Sequence, residues 1–112
     1  MAKRLITEFG QSTSLRRQDP TAAARRAIEN ALWRNSINLA ELFGVEKEQM
    51  QITVEVGVPD AERLDAEALK AAFPYGQVTV MARPGGLSVP RASGPPTYIA
   101  IVAISVALEG IA

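Results

Sequence analysis

The sequence predicts an α+β domain of two layers, with element order β-α-β-α-β-β. Three observations carry this. The stretch Tyr98 to Leu108 holds no charge and has five β-branched residues, Ile99, Ile101, Val102, Ile104 and Val106, which favours a strand. Met50 to Val56 alternates apolar and polar residues, as a strand with one wet face does. Two stretches with helical apolar spacing, opened by Asp19 and Asp65, separate the strands. At 112 residues the chain makes one domain, 1–112, with a small core.

In chain order, Leu5 to Phe9 reads as a first short strand, and Gly10 to Gln18 as a polar loop. Asp19-Pro20 then starts a helix: Asp is a good N-cap, and Pro at the first helical position loses no hydrogen bond. Ala24, Ile28, Ala31 and Leu32 form its apolar stripe. Ile37 to Phe43 can add a short helical turn, with Gly44 as the residue that ends it. Met50 to Val56 is the second strand. Asp65 caps a second helix carrying Ala68, Leu69, Ala72 and Phe73, and Phe73-Pro74-Tyr75-Gly76 stops it. Gln77 to Ala82 is the third strand. Pro84 to Pro96 holds four prolines, three glycines and two serines, and reads as a constrained loop.

The final strand decides the architecture. Tyr98, Ala100, Val102, Ile104, Val106 and Leu108 share one face, and Ile99, Ile101, Ala103, Ser105 and Ala107 the other. Both faces are apolar, so the strand belongs inside the sheet. Inserting it antiparallel between the first two strands gives a four-stranded mixed sheet of order 1-4-2-3, with both helices on one face. The other face stays apolar and open, which calls for packing against further copies of the chain.

Composition removes several function classes. Twelve basic and twelve acidic residues cancel, so no net field draws the chain to nucleic acid or an anionic membrane. With no Cys and no His, thiol chemistry, His bases and the usual zinc sites are absent. No metal-ligand cluster and no cofactor motif is seen. The apolar run is too short to cross a bilayer as a helix. Met1 to Leu5 shows no apolar signal-peptide core, so a cytoplasmic location is expected.

Two segments carry site chemistry. Gly10, Ser12, Ser14, Arg16 and Arg17 lead into a helix N-terminus, where N–H groups and guanidinium forks suit a phosphate or carboxylate. The bland reading is a polar surface loop. Arg83, Ser88 and Arg91 flank or lie in the Pro/Gly-rich loop and offer further donors; the same loop suits packing against a neighbouring subunit. Glu8 and Glu55, at strand ends, can meet in space as a carboxylate pair. Ser88 or Ser93 with Lys70 would make a Ser–Lys pair if the fold joins them.

Three resemblances follow from these residues. Element order and open sheet face resemble the chorismate-mutase/YjgF-like arrangement, which implies trimers with ligand clefts between subunits. Gln18-Asp19-Pro20-Thr21, Asn35-Ser36-Ile37, Val56-Gly57-Val58-Pro59, Phe73-Pro74-Tyr75-Gly76 and Gly85-Gly86-Leu87 resemble a family of short uncharacterised bacterial and plant proteins. That family's hallmark is G-x-G-x-D-x-H-G before the first helix. Here Gly10 matches, while Ser12, Ser14, Arg16 and Arg17 stand where Gly, Asp, His and Gly are expected. The departure implies a lost or altered activity, or a subunit that assembles with a more typical homologue. The pattern is also similar to repeats of ring-opening amidohydrolases such as cyanuric acid hydrolase, which implies Ser–Lys chemistry at Ser88 or Ser93 with Lys70. The expectation is therefore a homotrimer, or a partner of a homologous subunit, holding a small anionic metabolite between subunits. Hydrolysis of a cyclic amide or imine and a purely structural role are the alternatives.

Overall fold

A computed structural model describes residues 2–14, 19–34, 44 and 46–109. It is a mixed α+β structure built on one sheet. The strands are β1 (Ala2–Ser14), β2 (Gln51–Val58), β3 (Gln77–Pro84), β4 (Leu87–Val89) and β5 (Thr97–Glu109). The helices are α1 (Pro20–Arg34) and the short α2 (Ala66–Lys70), with 3-10 turns at Lys47–Gln49 and Ala61–Arg63. The expected turn over Ile37 to Phe43 lies outside the described residues. Gly44, beyond it, has φ 67°.

The main strand path is β1-β5-β2-β3. β5 runs antiparallel to β1 and to β2, and β2 runs parallel to β3. The terminal strand is thus internal. The arrangement differs in detail from the four-stranded order expected, because a fifth strand, β4, pairs with β5 beyond the end of β2. β4 lies inside the segment expected to be a loop. Its three residues carry alternation too short to read against the surrounding Pro and Gly.

The first strand is also longer than expected. Gly10 to Ser14, expected in a loop, continue β1, with Gly10 opposite Val102 and Ser14 opposite Tyr98. The polar sequence disfavours a strand locally, but pairing along the whole apolar β5 overrides that preference. Two features interrupt β1's outer edge. The register shifts between Arg4 and Ile6, and the Asn30 side chain accepts the Gln11 backbone N–H at 3.2 Å.

One face of the sheet is the core. Tyr98, Ala100, Val102, Ile104, Val106 and Leu108 of β5 are buried there, beside Ile52, Val54, Val56 and Val58 of β2. The helix α1 covers β1 and β5 with a face of Ala23, Ala24, Ala27, Ile28 and Ala31. The alanines let the helix lie close, and Gly10 makes the approach possible. A Cβ there would collide with the Ala27 carbonyl oxygen and stand 2.8 Å from Ala31 Cβ. Asp19 caps α1, its Oδ1 accepting the N–H groups of Thr21 and Ala22. Asp65 likewise accepts the Ala68 N–H of α2, and Thr21 Oγ1 accepts the Asp65 N–H at 2.8 Å, tying the two helix starts together. Leu69 of α2 is fully buried, and burying such a side chain contributes roughly 1.5–3 kcal/mol.

Candidate functional site

The opposite face of the sheet holds the candidate site. Register places Thr7, Phe9 and Gln11 of β1, Ile99, Ile101 and Ala103 of β5, Glu55 and Gly57 of β2, Met81 and Arg83 of β3, and Leu87 and Val89 of β4 on that face. Phe9 is 61% exposed, Leu87 56%, Ile101 44%, Val89 43% and Met81 41%. These are the large exposed hydrophobic residues among those described, and every one lies on this single face. Solvated β-sheet faces normally alternate to polar residues.

A groove of about 270 Å³ opens in this face. Its floor is Phe9, Ile101 and Ala103, and Arg83, Pro84, Gly85 and Gly86 wall it. The wall is built from close backbone. A Cβ at Gly85 would stand 3.1 Å from the Gly57 Cα, and the Gly85 N–H bonds the Val58 carbonyl at 3.0 Å. Gly86 has φ 66°, and a Cβ there would strike the Ile99 carbonyl oxygen. Only glycine satisfies both conditions. A second depression of about 190 Å³, lined by Phe9, Gly10, Gln11 and Ile101, adjoins the groove.

One ion pair lies in the groove. Arg83 Nη2 donates to Glu55 Oε1 at 2.8 Å. The pair is diagonal, because Arg83 sits opposite Gly57 and Glu55 opposite Met81. Gly57 has no side chain to obstruct the guanidinium. The Arg83 side chain is 63% exposed and that of Glu55 31%, so the pair stabilises the fold little. Both groups remain open to a ligand.

The other expected site residues fall elsewhere. Gly10 is under α1 on the core face. Ser12 donates its hydroxyl to the Ala23 carbonyl at 2.7 Å, and Ser14 is buried opposite Tyr98. Gly10 and Ser12 therefore join helix to sheet. Arg16 and Arg17 lie outside the described residues. Ser88 is on β4, and Arg91 and Ser93 lie in the exposed segment after it. Lys70 ends α2 and donates to Glu67 at 3.0 Å; among the described residues no hydrogen bond joins it to Ser88 or Ser93. A carboxylate pair of Glu8 and Glu55 does not form, since register puts them on opposite faces of the sheet. Ser105 is buried, its Oγ 3.1 Å from Thr7 Oγ1.

Sequence reasoning missed Phe9 and Ile101 as groove residues and the pairing of Glu55 with Arg83. Alternation along Met50 to Val56 did place Glu55 on the wet face. Its partner depends on the parallel register of β2 and β3, for which no local signal exists.

A polar cluster occupies one end of the sheet. The Tyr98 ring is buried, its hydroxyl 3.4 Å from the Asp60 N–H and 3.5 Å from Asp60 Oδ2. Burial pushes the Tyr98 hydroxyl above its ordinary pKa of 10.0. Arg63 pairs with Asp60 at 3.3 Å on the exposed side. No group of three or more metal-ligating side chains exists among the described residues, and no described helix is long and apolar enough to cross a membrane.

Residues 4–106 match the model of a family described as a conserved hypothetical protein family, Lin0512_fam. Among solved structures, the chain is similar to a crystal structure of an FtsZ-like protein of unknown function from Nostoc punctiforme PCC 73102. The two are 35% identical, with a TM-score of 0.87 over 97% of this chain and 98% of that one. No curated protein matches the chain.

Proposed function

We propose, for a chain that belongs to the Lin0512_fam family of conserved hypothetical proteins, a self-assembling protein that binds a small anionic metabolite between its subunits. The observation that carries this reading is the open sheet face. The exposed large hydrophobic residues are gathered there, and the groove with Arg83 opens among them. A face this apolar is an interaction surface. The molecule measures 53 × 25 × 21 Å, which leaves room for the roughly 800 Å² per partner of an ordinary interface. Packing open faces around a three-fold axis would close the groove from above. This is the chorismate-mutase/YjgF-like trimer that the element order resembles, and it belongs to the proposal with the assembly.

In this reading Arg83 supplies the fork for the anion. Gly10 and Ser12 serve the fold instead, by seating α1. The Nostoc protein, itself of unknown function, supports the architecture and supplies no ligand.

Sedimentation of the native chain and of Ile101→Lys tests the assembly. The native chain is expected as a trimer at micromolar concentration, and the variant as a folded monomer. A native monomer would remove the proposal, and recovery only alongside a homologous chain would favour the mixed assembly. Thermal shifts with small carboxylates test the ligand. Stabilisation by RT ln(1 + [L]/Kd) should appear in the native chain and vanish in Arg83→Gln.

A further inference from the structure

We infer that the groove takes a zwitterionic amino acid with an apolar side chain. The inference rests on reading the groove as a ligand site and sharpens the kind of ligand. The deciding feature is that its arginine is already answered by an acid. Glu55 Oε1 stands 2.8 Å from Arg83 Nη2. A ligand bearing only a carboxylate would bring a second negative charge against Glu55, which weakens its hold on Arg83. A ligand with a cationic donor beside its carboxylate avoids that weakening.

An α-amino acid has this arrangement. Its carboxylate can accept from the guanidinium, which keeps N–H donors beyond the one given to Glu55. Its adjacent ammonium can donate to Glu55, whose second carboxylate oxygen has acceptor capacity left. Two neighbouring ligand charges of opposite sign would meet two neighbouring protein charges of opposite sign. The rest of the groove sets the remainder of the ligand. Phe9, Ile101 and Ala103 form an apolar floor, and Gly57, Gly85 and Gly86 line it without side chains. At about 270 Å³ the space is at the small end of ligand sites. It suits one aliphatic or aromatic side chain, not a nucleotide.

Calorimetric titration of the chain with leucine and phenylalanine, their N-acetyl derivatives and their carboxamides tests this. The acetyl compounds keep the carboxylate and lose the ammonium, and the carboxamides do the reverse. Free amino acids are expected to bind at least about tenfold more tightly than either derivative, because each derivative forfeits a charged hydrogen bond. Glu55→Gln should abolish the preference over the acetyl derivative, and Arg83→Gln the preference over the carboxamide. Acetyl derivatives that bind as tightly as the amino acids, through Arg83, would overturn the inference and leave the anion reading standing. Binding that neither substitution changes would place the ligand elsewhere and overturn it. Binding by none of these compounds, nor by other small carboxylates, would overturn both readings.

Discussion

Gly10 lies directly beneath Ala27, so near that a single added methyl group would run into the Ala27 carbonyl oxygen. The contact fixes how close α1 sits to β1. Gly10→Ala must push the helix outward and open the alanine face, since backbone cannot yield as a flexible side chain does. Overpacking of this kind costs about 1–3 kcal/mol. A lower urea midpoint with an unchanged slope is the expected result.

Gly86→Ala tests the groove wall. The position needs φ 66° and lies against the Ile99 carbonyl. The substitution should detach β4 from β5 while the core under α1 holds. Backbone amides of residues 87–89 should then exchange faster, with those of β2 unaffected.

Asp19 holds two amide groups of the first turn of α1. Asp19→Ala should lower stability by about 1 kcal/mol, and Asp19→Asn by much less, because Asn also caps. Thermal or denaturant unfolding of the two variants separates loss of the cap from loss of charge.

Tyr98 gives a pH prediction. Its folded pKa lies above 10.0 because burial disfavours the phenolate. Between the two values the folded state binds more protons than the unfolded state, so stability falls as pH rises. The stability is fully present below pH 10.0, and its loss is complete above the folded pKa. Tyr98→Phe should flatten this alkaline decline in denaturant titrations. Phenolate absorbance should show one of the two tyrosines of the native chain ionising later than in denaturant.

Much of this architecture could be read from residue order. The uncharged, β-branched run at Tyr98 to Leu108 identified an internal strand with two apolar faces, and Asp19-Pro20 and Asp65 marked where helices start. Local preference failed where pairing outweighed it. Gly10 to Ser14 looked like a loop yet form a strand because β5 runs the whole length beside them. The site was less legible. Arg83 was identified by its chemistry, but its link to Glu55 and the gathering of Phe9, Ile101 and Leu87 on one face follow from register. Register is a property of paired strands, absent from either one alone.

The interruptions along β1 have a consequence for the molecule's solution behaviour. A thirteen-residue strand on the rim of a sheet is a template on which like chains can align and grow into fibres. The step between Arg4 and Ile6 breaks that template, and Asn30 already occupies a donor that an arriving strand would need. Lengthwise growth along this border is thereby discouraged.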